Sequence, residues 1–266
     1  MPKETPLDPD IIKSTLPKRR IGKEVVIYET TYSTNDAAAR YIGSAAEDGL
    51  VVFAESQSAG RGRLGAKWQS PEKQSLLFSI LLRQNNIKPN LMSLAAAVAV
   101  ADGIGTIDQQ QPKIKWPNDI LLGNKKLAGI LVESQTHNRQ NYYIVGVGIN
   151  CRQKPEDFPP EIRDSAISLD MADRKPCCRT DIAKQVLTAA GIWFAAAAEN
   201  PEAVRNRWRQ LSLLLGRRIT VVYKGRKFTG NCEGVDPDQG LILRLERGTI
   251  RMFDAAHCRI AKDMKI

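Results

Sequence analysis

Gly60-Arg61-Gly62-Arg63-Leu64-Gly65-Ala66-Lys67-Trp68 is the stretch from which the rest of this chain can be read. It follows the apolar run at residues 50–54, so it reads as the loop leaving a buried strand. Its glycines open backbone angles closed to other residues and let main-chain N–H groups come close to a ligand. Arg61 and Arg63 place planar, permanently charged forks between them, and such forks match carboxylate and phosphate oxygens two bonds at a time. The stretch therefore suits a site that gathers anionic groups and closes over them. A solvated basic turn is the reading that these residues alone leave open.

Working outward, residues 50–57 and 75–82 read as the strands flanking the loop, the second almost wholly apolar and so central in a sheet. Upstream, residues 24–29 alternate and are rich in β-branched side chains, which predicts another strand. Ser33 or Thr34 then caps a helix through Ala37, Ala38, Ala39 and Tyr41. Ser33-Thr34-Asn35 is first of all that cap, but three short polar side chains beside unpaired helix N–H groups also make a receptor for a polar ligand head. Residues 7–16 form a short helix ended by Pro17 and Lys18-Arg19-Arg20.

Downstream, residues 90–104 are an alanine-rich helix able to pack closely on a sheet. Pro117, within Lys115-Trp116-Pro117-Asn118-Asp119, interrupts a strand pattern at 113–122, and Gly123-Asn124 signals a two-residue hairpin into a strand at 126–133. Residues 142–150 are a strand whose glycines allow close approach, and 151–176 wrap the surface. Helices from Thr180 or Asp181 to about 198 and over 201–213 follow, with both Trp193 and Trp208 packed in the core. After Gly216 come short strands at 219–223, 226–232, 241–245 and 249–253, the spacing of a small SH3-like barrel. The expected architecture is α/β (α+β): a mixed-sheet catalytic domain over 1–215 with helices packed on one side, then an SH3-like β domain over 216–266.

Composition narrows the function. The 266 residues are 42% hydrophobic and 26% charged, which suits a folded core, and the net charge of +10 favours an anionic partner. No signal peptide is visible at the N-terminus, and the alanine-rich run at 94–101 is too short to span a bilayer. Five scattered cysteines and two histidines support neither a disulfide framework nor a zinc site, so the expected compartment is the reducing cytoplasm, away from membranes. Only about two dozen residues precede the first strand, too few for a helix-turn-helix unit, and no sequence-specific DNA binding is expected.

Five motifs in order carry a resemblance: Ser33-Thr34-Asn35; Gln57 with the 60–65 loop and Trp68; Lys115-Trp116-Pro117-Asn118-Asp119; Lys126-Leu127-Ala128-Gly129; and Gly146-Val147-Gly148-Ile149-Asn150. With the β-rich tail they resemble the biotin protein ligases, from about residue 24 to the end. The resemblance implies that biotin is activated by ATP, with Mg2+, to biotinyl-5′-AMP and then transferred to a lysine of a biotin carboxyl carrier protein, that of acetyl-CoA carboxylase. It implies catalytic roles for Lys126, Arg61 and Arg63. It puts Ser33, Thr34, Asn35, Gln57, Arg61, Gly62, Arg63 and Lys126 at biotin, and Gly60, Trp68, Asn118 and Asn150 at the nucleotide. Asp119 suits either a water or magnesium contact or a structural role, and with no carboxylate cluster in the sequence the metal is expected on the phosphates of ATP rather than in a protein cage.

The chain departs from the larger family members in having no helix-turn-helix unit before the catalytic body, which implies a ligase without repressor activity, and in carrying Leu64 where some members carry a basic residue. Monomer and homodimer both remain open. Two other functions were weighed: a lipoate-type ligase of the same superfamily, against which the 60–65 loop and the β-rich tail speak, and a nucleic-acid-binding module suggested by the charge.

Overall fold

The computed structural model describes residues 6–15, 20–107 and 111–261. The predicted stop of the first helix at Leu16 and Pro17 lies outside them; the helix itself is α1 (Pro9–Thr15). Strand β3 (Ser75–Arg83) is buried at every position but the last, as its apolar sequence demands. It lies inside a seven-stranded sheet of order β1-β2-β3-β7-β6-β5-β4. β1 (Val25–Thr31) and β2 (Val51–Gln57) pair in parallel. The remaining neighbours, β7 (Gln140–Asn150), β6 (Lys125–His137), β5 (Asp119–Leu122) and β4 (Lys113–Lys115), pair antiparallel. Gly123 and Asn124 both take positive φ, 54° and 66°, the geometry a two-residue hairpin requires, and Pro117 falls in the break between β4 and β5.

Alternation along β2 separates two packed layers. Val51 and Phe53 join the large core under α3 (Pro89–Gly105), α5 (Arg179–Glu199) and α6 (Pro201–Leu211), while Leu50 and Val52 face a smaller cluster with Ala37 and Ala38 of α2 (Thr34–Ala39). The expectation of helices on one side therefore holds for the three long ones only. The short α2, which offers the sheet little beyond alanine methyls, sits on the opposite face. Between α3 and α5 the backbones touch at Gly103, where a Cβ would lie 2.6 Å from Cα of Val186. Trp208 is fully buried and Trp193 half-buried, its indole bonded to Asp102 at 2.9 Å.

The tail forms a separate antiparallel sheet of order β11-β10-β9-β8-β12, from β8 (Arg218–Tyr223), β9 (Arg226–Asp236), β10 (Gly240–Leu245), β11 (Ile250–Phe253) and β12 (Cys258–Ile260). Strand β12 was not legible in the sequence, because three residues are too few to show alternation. Among the described residues no ladder joins β11 to β12, so the pairing is that of a sheet and not of a closed barrel. The tail is tied to the main body at Leu213, whose N–H donates to Ile114 O at 2.9 Å, and at the start of α3, where Lys88 pairs with Asp238 at 2.6 Å. No helix among the described residues is long and apolar enough to cross a membrane.

Candidate active site

The face that carries only α2 leaves room for a site. Ser33 caps α2 by accepting from the N–H of Asn35 at 3.3 Å. Gln57, at the end of β2, accepts from the N–H of Thr34 at 2.7 Å and from its hydroxyl at 3.1 Å. Asn35 donates to Glu133 at 2.6 Å, and Ser79 Oγ lies 2.8 Å from Thr34 Oγ1 and 2.6 Å from Asn35 Oδ1. Gly146 makes this possible: a Cβ there would collide with Asn35 Oδ1. Sequence reading missed Ser79 and Glu133. The available signal was a lone polar residue inside an apolar strand and an acid closing the apolar run of β6.

The glycine loop is itself ordered as a small hairpin. Gly62 N–H donates to Ala66 O at 2.7 Å and Trp68 N–H to Gly60 O at 2.9 Å, and Gly60 has to lack a Cβ because one would lie 2.5 Å from Trp68 O. Leu64, at the tip, holds φ 54° with its side chain exposed. Arg61 forks onto Asp36 at 2.6 and 2.8 Å and reaches Glu133 at 3.4 Å. These bonds hold the Asp36 carboxyl below its ordinary range and raise the guanidinium above its own. Arg63 turns toward the tail, donating to the carbonyls of Ala255 and of Cys258, the latter at 3.1 Å, and to Asn118 Oδ1 at 3.3 Å. Burial pushes its pKa down, so the cation is held by carbonyl dipoles in a partly dry place.

Trp68 lies flat on the sheet. A Cβ on Gly148 would be 2.5 Å from its ring, and one on Gly129 2.9 Å. Its indole Nε1 is buried and has no partner among the described residues. Lys126 stands over that ring, its Nζ 5.7 Å from the centroid and 2.6 Å from Asp119.

A cavity of about 630 Å³ opens between this sheet face, the loop and the C-terminal sheet. Of the residues expected at a site, Ser33, Thr34, Asn35 and Gln57 line one end, and Arg61, Gly62, Arg63, Trp68, Asn118 and Lys126 also line it. Two expected residues do not. Gly60 lines a second hollow across the loop, about 840 Å³ in volume. Asn150 is buried, with its amide donating to Ile167 O at 3.1 Å and Lys126 O at 3.4 Å, so it braces the backbone of Lys126 instead of meeting a nucleotide. Val222, Lys227 and Arg259 of the C-terminal sheet complete the wall, a contribution the tail's sequence did not reveal. Among the described residues no three His, Cys, Asp or Glu side chains group to hold a metal ion, and Asp119, the carboxylate in the cavity lining, is already paired with Lys126.

The arrangement sets uncharged donors and acceptors at one end of a cavity and cations at the other, suited to a ligand with a polar neutral head and a negatively charged tail. Comparison with known proteins agrees. Residues 27–150 match the Biotin/lipoate A/B protein ligase family and residues 214–259 the Biotin protein ligase C terminal domain. The biotin--[acetyl-CoA-carboxylase] ligase of Mycobacterium tuberculosis is 34% identical over 268 residues, covering 96% of this chain and 97% of that protein. The bifunctional ligase/repressor BirA of Bacillus subtilis is 31% identical over 239 residues, 88% of this chain and 74% of its own length. Among solved structures, the biotin protein ligase of Aquifex aeolicus in complex with biotin and ATP superposes with a TM-score of 0.77 at 27% identity, covering 90% of this chain and 100% of that one. With both of its parts matched, and a relative aligned over nearly its whole length, the chain belongs to the biotin protein ligase family.

Proposed function

We propose that the cavity joins biotin to a carrier lysine in two steps, with residues 1–215 carrying the chemistry and 216–266 supplying the second wall. The observation that carries this reading is the cavity's polarity: Ser33, Thr34, Asn35 and Gln57 at one end, Lys126 with Arg61 and Arg63 at the other. The ureido head of biotin both donates and accepts hydrogen bonds, as hydroxyl and amide side chains do, and it occupies the first end. Its carboxylate then points to Lys126. In the first step a carboxylate oxygen attacks the α-phosphorus of ATP, the bond to the bridging oxygen breaks, and pyrophosphate leaves with that electron pair. Negative charge concentrates where the two anions meet, so a fixed ammonium there stabilises the transition state more than the separated substrates. In the second step the neutral amine of the carrier lysine attacks the carbonyl carbon and AMP departs.

Magnesium arrives on the phosphates of ATP, since the cavity offers a single, already paired carboxylate and Mg2+ is commonly held by one or two carboxylates plus substrate phosphates. Asp119 positions Lys126, and Trp68 supplies an apolar plane for the adenylate. The carrier is the biotin carboxyl carrier of acetyl-CoA carboxylase, and the compartment the cytoplasm. The test is to incubate the protein with biotin, MgATP and a biotin carrier domain and to weigh the carrier. One biotinyl group on one lysine, dependent on ATP, is the expected result. No mass change with biotin, and modification when lipoate replaces it, would overturn the assignment in favour of a lipoate ligase.

A further inference from the structure

The cations around the cavity differ in what already neutralises them. Arg61 is paired with Asp36 and Glu133, Lys126 with Asp119, and Arg63 donates to backbone carbonyls. Lys227 and Arg259 line the same cavity, are exposed, and make no ion pair among the described residues. They are not scattered. Val222 pairs with Lys227 on one side and with Arg259 on the other, so the three form one row across β9, β8 and β12. Residues directly opposite in a ladder share a face. Their chain neighbours Val221 and Cys258 are fully buried, so alternation turns this row outward, toward the cavity.

Two strand spacings separate the stems of Lys227 and Arg259 by about 10 Å. Two long cationic side chains at that span, with a small apolar residue between them, can close on an extended anion carrying several oxygens. A carboxylate group is too short to meet both, and the ureido head carries no charge.

Resting on the reading of the cavity as the site of adenylation, we propose that Lys227 and Arg259 form the subsite for the β- and γ-phosphates of ATP and hold pyrophosphate as it leaves. When the bond from the α-phosphorus breaks, the departing oxygen takes the electron pair, and the new charge on pyrophosphate falls beside these cations. The C-terminal sheet thus acts on the leaving group, while the main sheet acts on biotin. Cations without a carboxylate partner are the ones an incoming polyphosphate can engage without displacing another anion.

The test uses the whole protein with Lys227 and Arg259 both replaced by alanine, which are exposed changes that leave the core untouched. Expected are a KM for MgATP and a Kd for magnesium pyrophosphate, the latter by calorimetry, each raised about 10-fold or more. Biotin affinity should hold, as should the rate of transfer from pre-formed biotinyl-5′-AMP to the carrier, and Lys227→Arg should stay near wild type. Unchanged KM and pyrophosphate Kd would overturn the subsite. So would an unchanged KM for ATP with a raised KM for the carrier in the transfer step, which would mean that the row docks an acidic protein surface. A wild-type protein that makes no biotinyl-5′-AMP would instead overturn the adenylation reading itself, before any variant is compared.

Discussion

Replacing Arg63 with glycine should unfasten the loop from the C-terminal sheet. In the structure the guanidinium donates to Cys258 O at 3.1 Å, to Ala255 O, and to Asn118 Oδ1 at 3.3 Å. Hydrogen bonds from a charged donor contribute about 1.5 to 3 kcal/mol each. The buried position, which lowers the pKa of Arg63, offsets part of that, so the latch as a whole is taken as one such bond, about 2 kcal/mol. A glycine adds freedom to the open loop, a further 0.5 to 1 kcal/mol or so. The sum, about 3 kcal/mol, corresponds to roughly a 100-fold shift toward the open loop at 1.4 kcal/mol per decade. If the loop has to open before biotinyl-5′-AMP can leave, its off-rate rises by about the same factor.

The assay is stopped-flow release of biotinyl-5′-AMP from wild type, Arg63→Gly and Arg63→Lys. The lysine variant keeps the charge but loses the fork, and should fall between the other two. Formation of the adenylate should persist in the glycine variant, and the escaped anhydride should acylate exposed lysines on a bystander such as serum albumin. Off-rates within twofold of one another, with labelling confined to the carrier, would refute both the latch and the arithmetic.

Lys126→Ala should slow adenylation by about 10- to 100-fold with a smaller loss of biotin affinity; near-normal pyrophosphate release at saturating substrates would return Lys126 to the role of a surface hairpin lysine. Glu55 and Arg179 are an almost fully buried ion pair at 2.5 Å, so Glu55→Gln should leave an uncompensated cation and cost about 3 to 5 kcal/mol in urea unfolding, and a loss under about 1 kcal/mol would show the pair to be dispensable. A thiol reagent at pH 8 should label the exposed Cys178 promptly while Cys232 and Cys258, buried and pushed up to about 11 and about 12, react only on unfolding; peptide mass mapping reads the order. Because the hydrogen bond from Arg61 depresses the pKa of Asp36 from its ordinary 3.8, this pair's contribution is complete above that value and is lost as pH falls below it through the folded pKa. Loop amides at 61–67 should then exchange faster in wild type, and Asp36→Asn should flatten that dependence.

What the sequence made legible was local. Strand periods, the Gly123-Asn124 turn, the Ser33 cap and the glycine loop are each decided within a few residues, and each stands where the pattern put it. What it hid was decided across the chain. Asp36 read only as a residue in the first turn of a helix, yet it is the partner of Arg61 from 25 positions away. Ser79 and Glu133 become part of the site because β3 and β6 run under α2. Arg63 was assigned to an anionic ligand on charge alone; in the structure its acceptors include two main-chain carbonyls of the tail, and a carbonyl has no signature in a sequence. Asn150 was read as a ligand contact from its place in a motif, whereas its burial beside Lys126 makes it a brace. The row of Lys227, Val222 and Arg259 depends on the register of three strands, one of them too short to predict.

The asymmetry of the main sheet explains why chemistry settles on one side. One face is sealed by three helices whose packing leaves no slack, down to backbone contact at Gly103. The other carries a short helix, and at Gly129, Gly146 and Gly148 the strands carry no side chains at all, which is what lets Asn35 and Trp68 lie against the backbone. A floor without side chains needs a roof, and two are present: the glycine loop and the C-terminal sheet, joined at Arg63. Joining them couples their movements. The loop cannot lift without breaking bonds to the tail, and the tail cannot swing away without loosening the loop, so a ligand that touches both walls stabilises each contact through the other. Deleting the contact from either side, by Arg63→Gly or by a change that displaces the turn at Ala255–His257, should therefore weaken ATP and biotin retention together, whereas losing Lys227 and Arg259 should weaken ATP alone. That divergence separates a wall that positions the loop from a wall that binds phosphate, although both are built from the same small sheet.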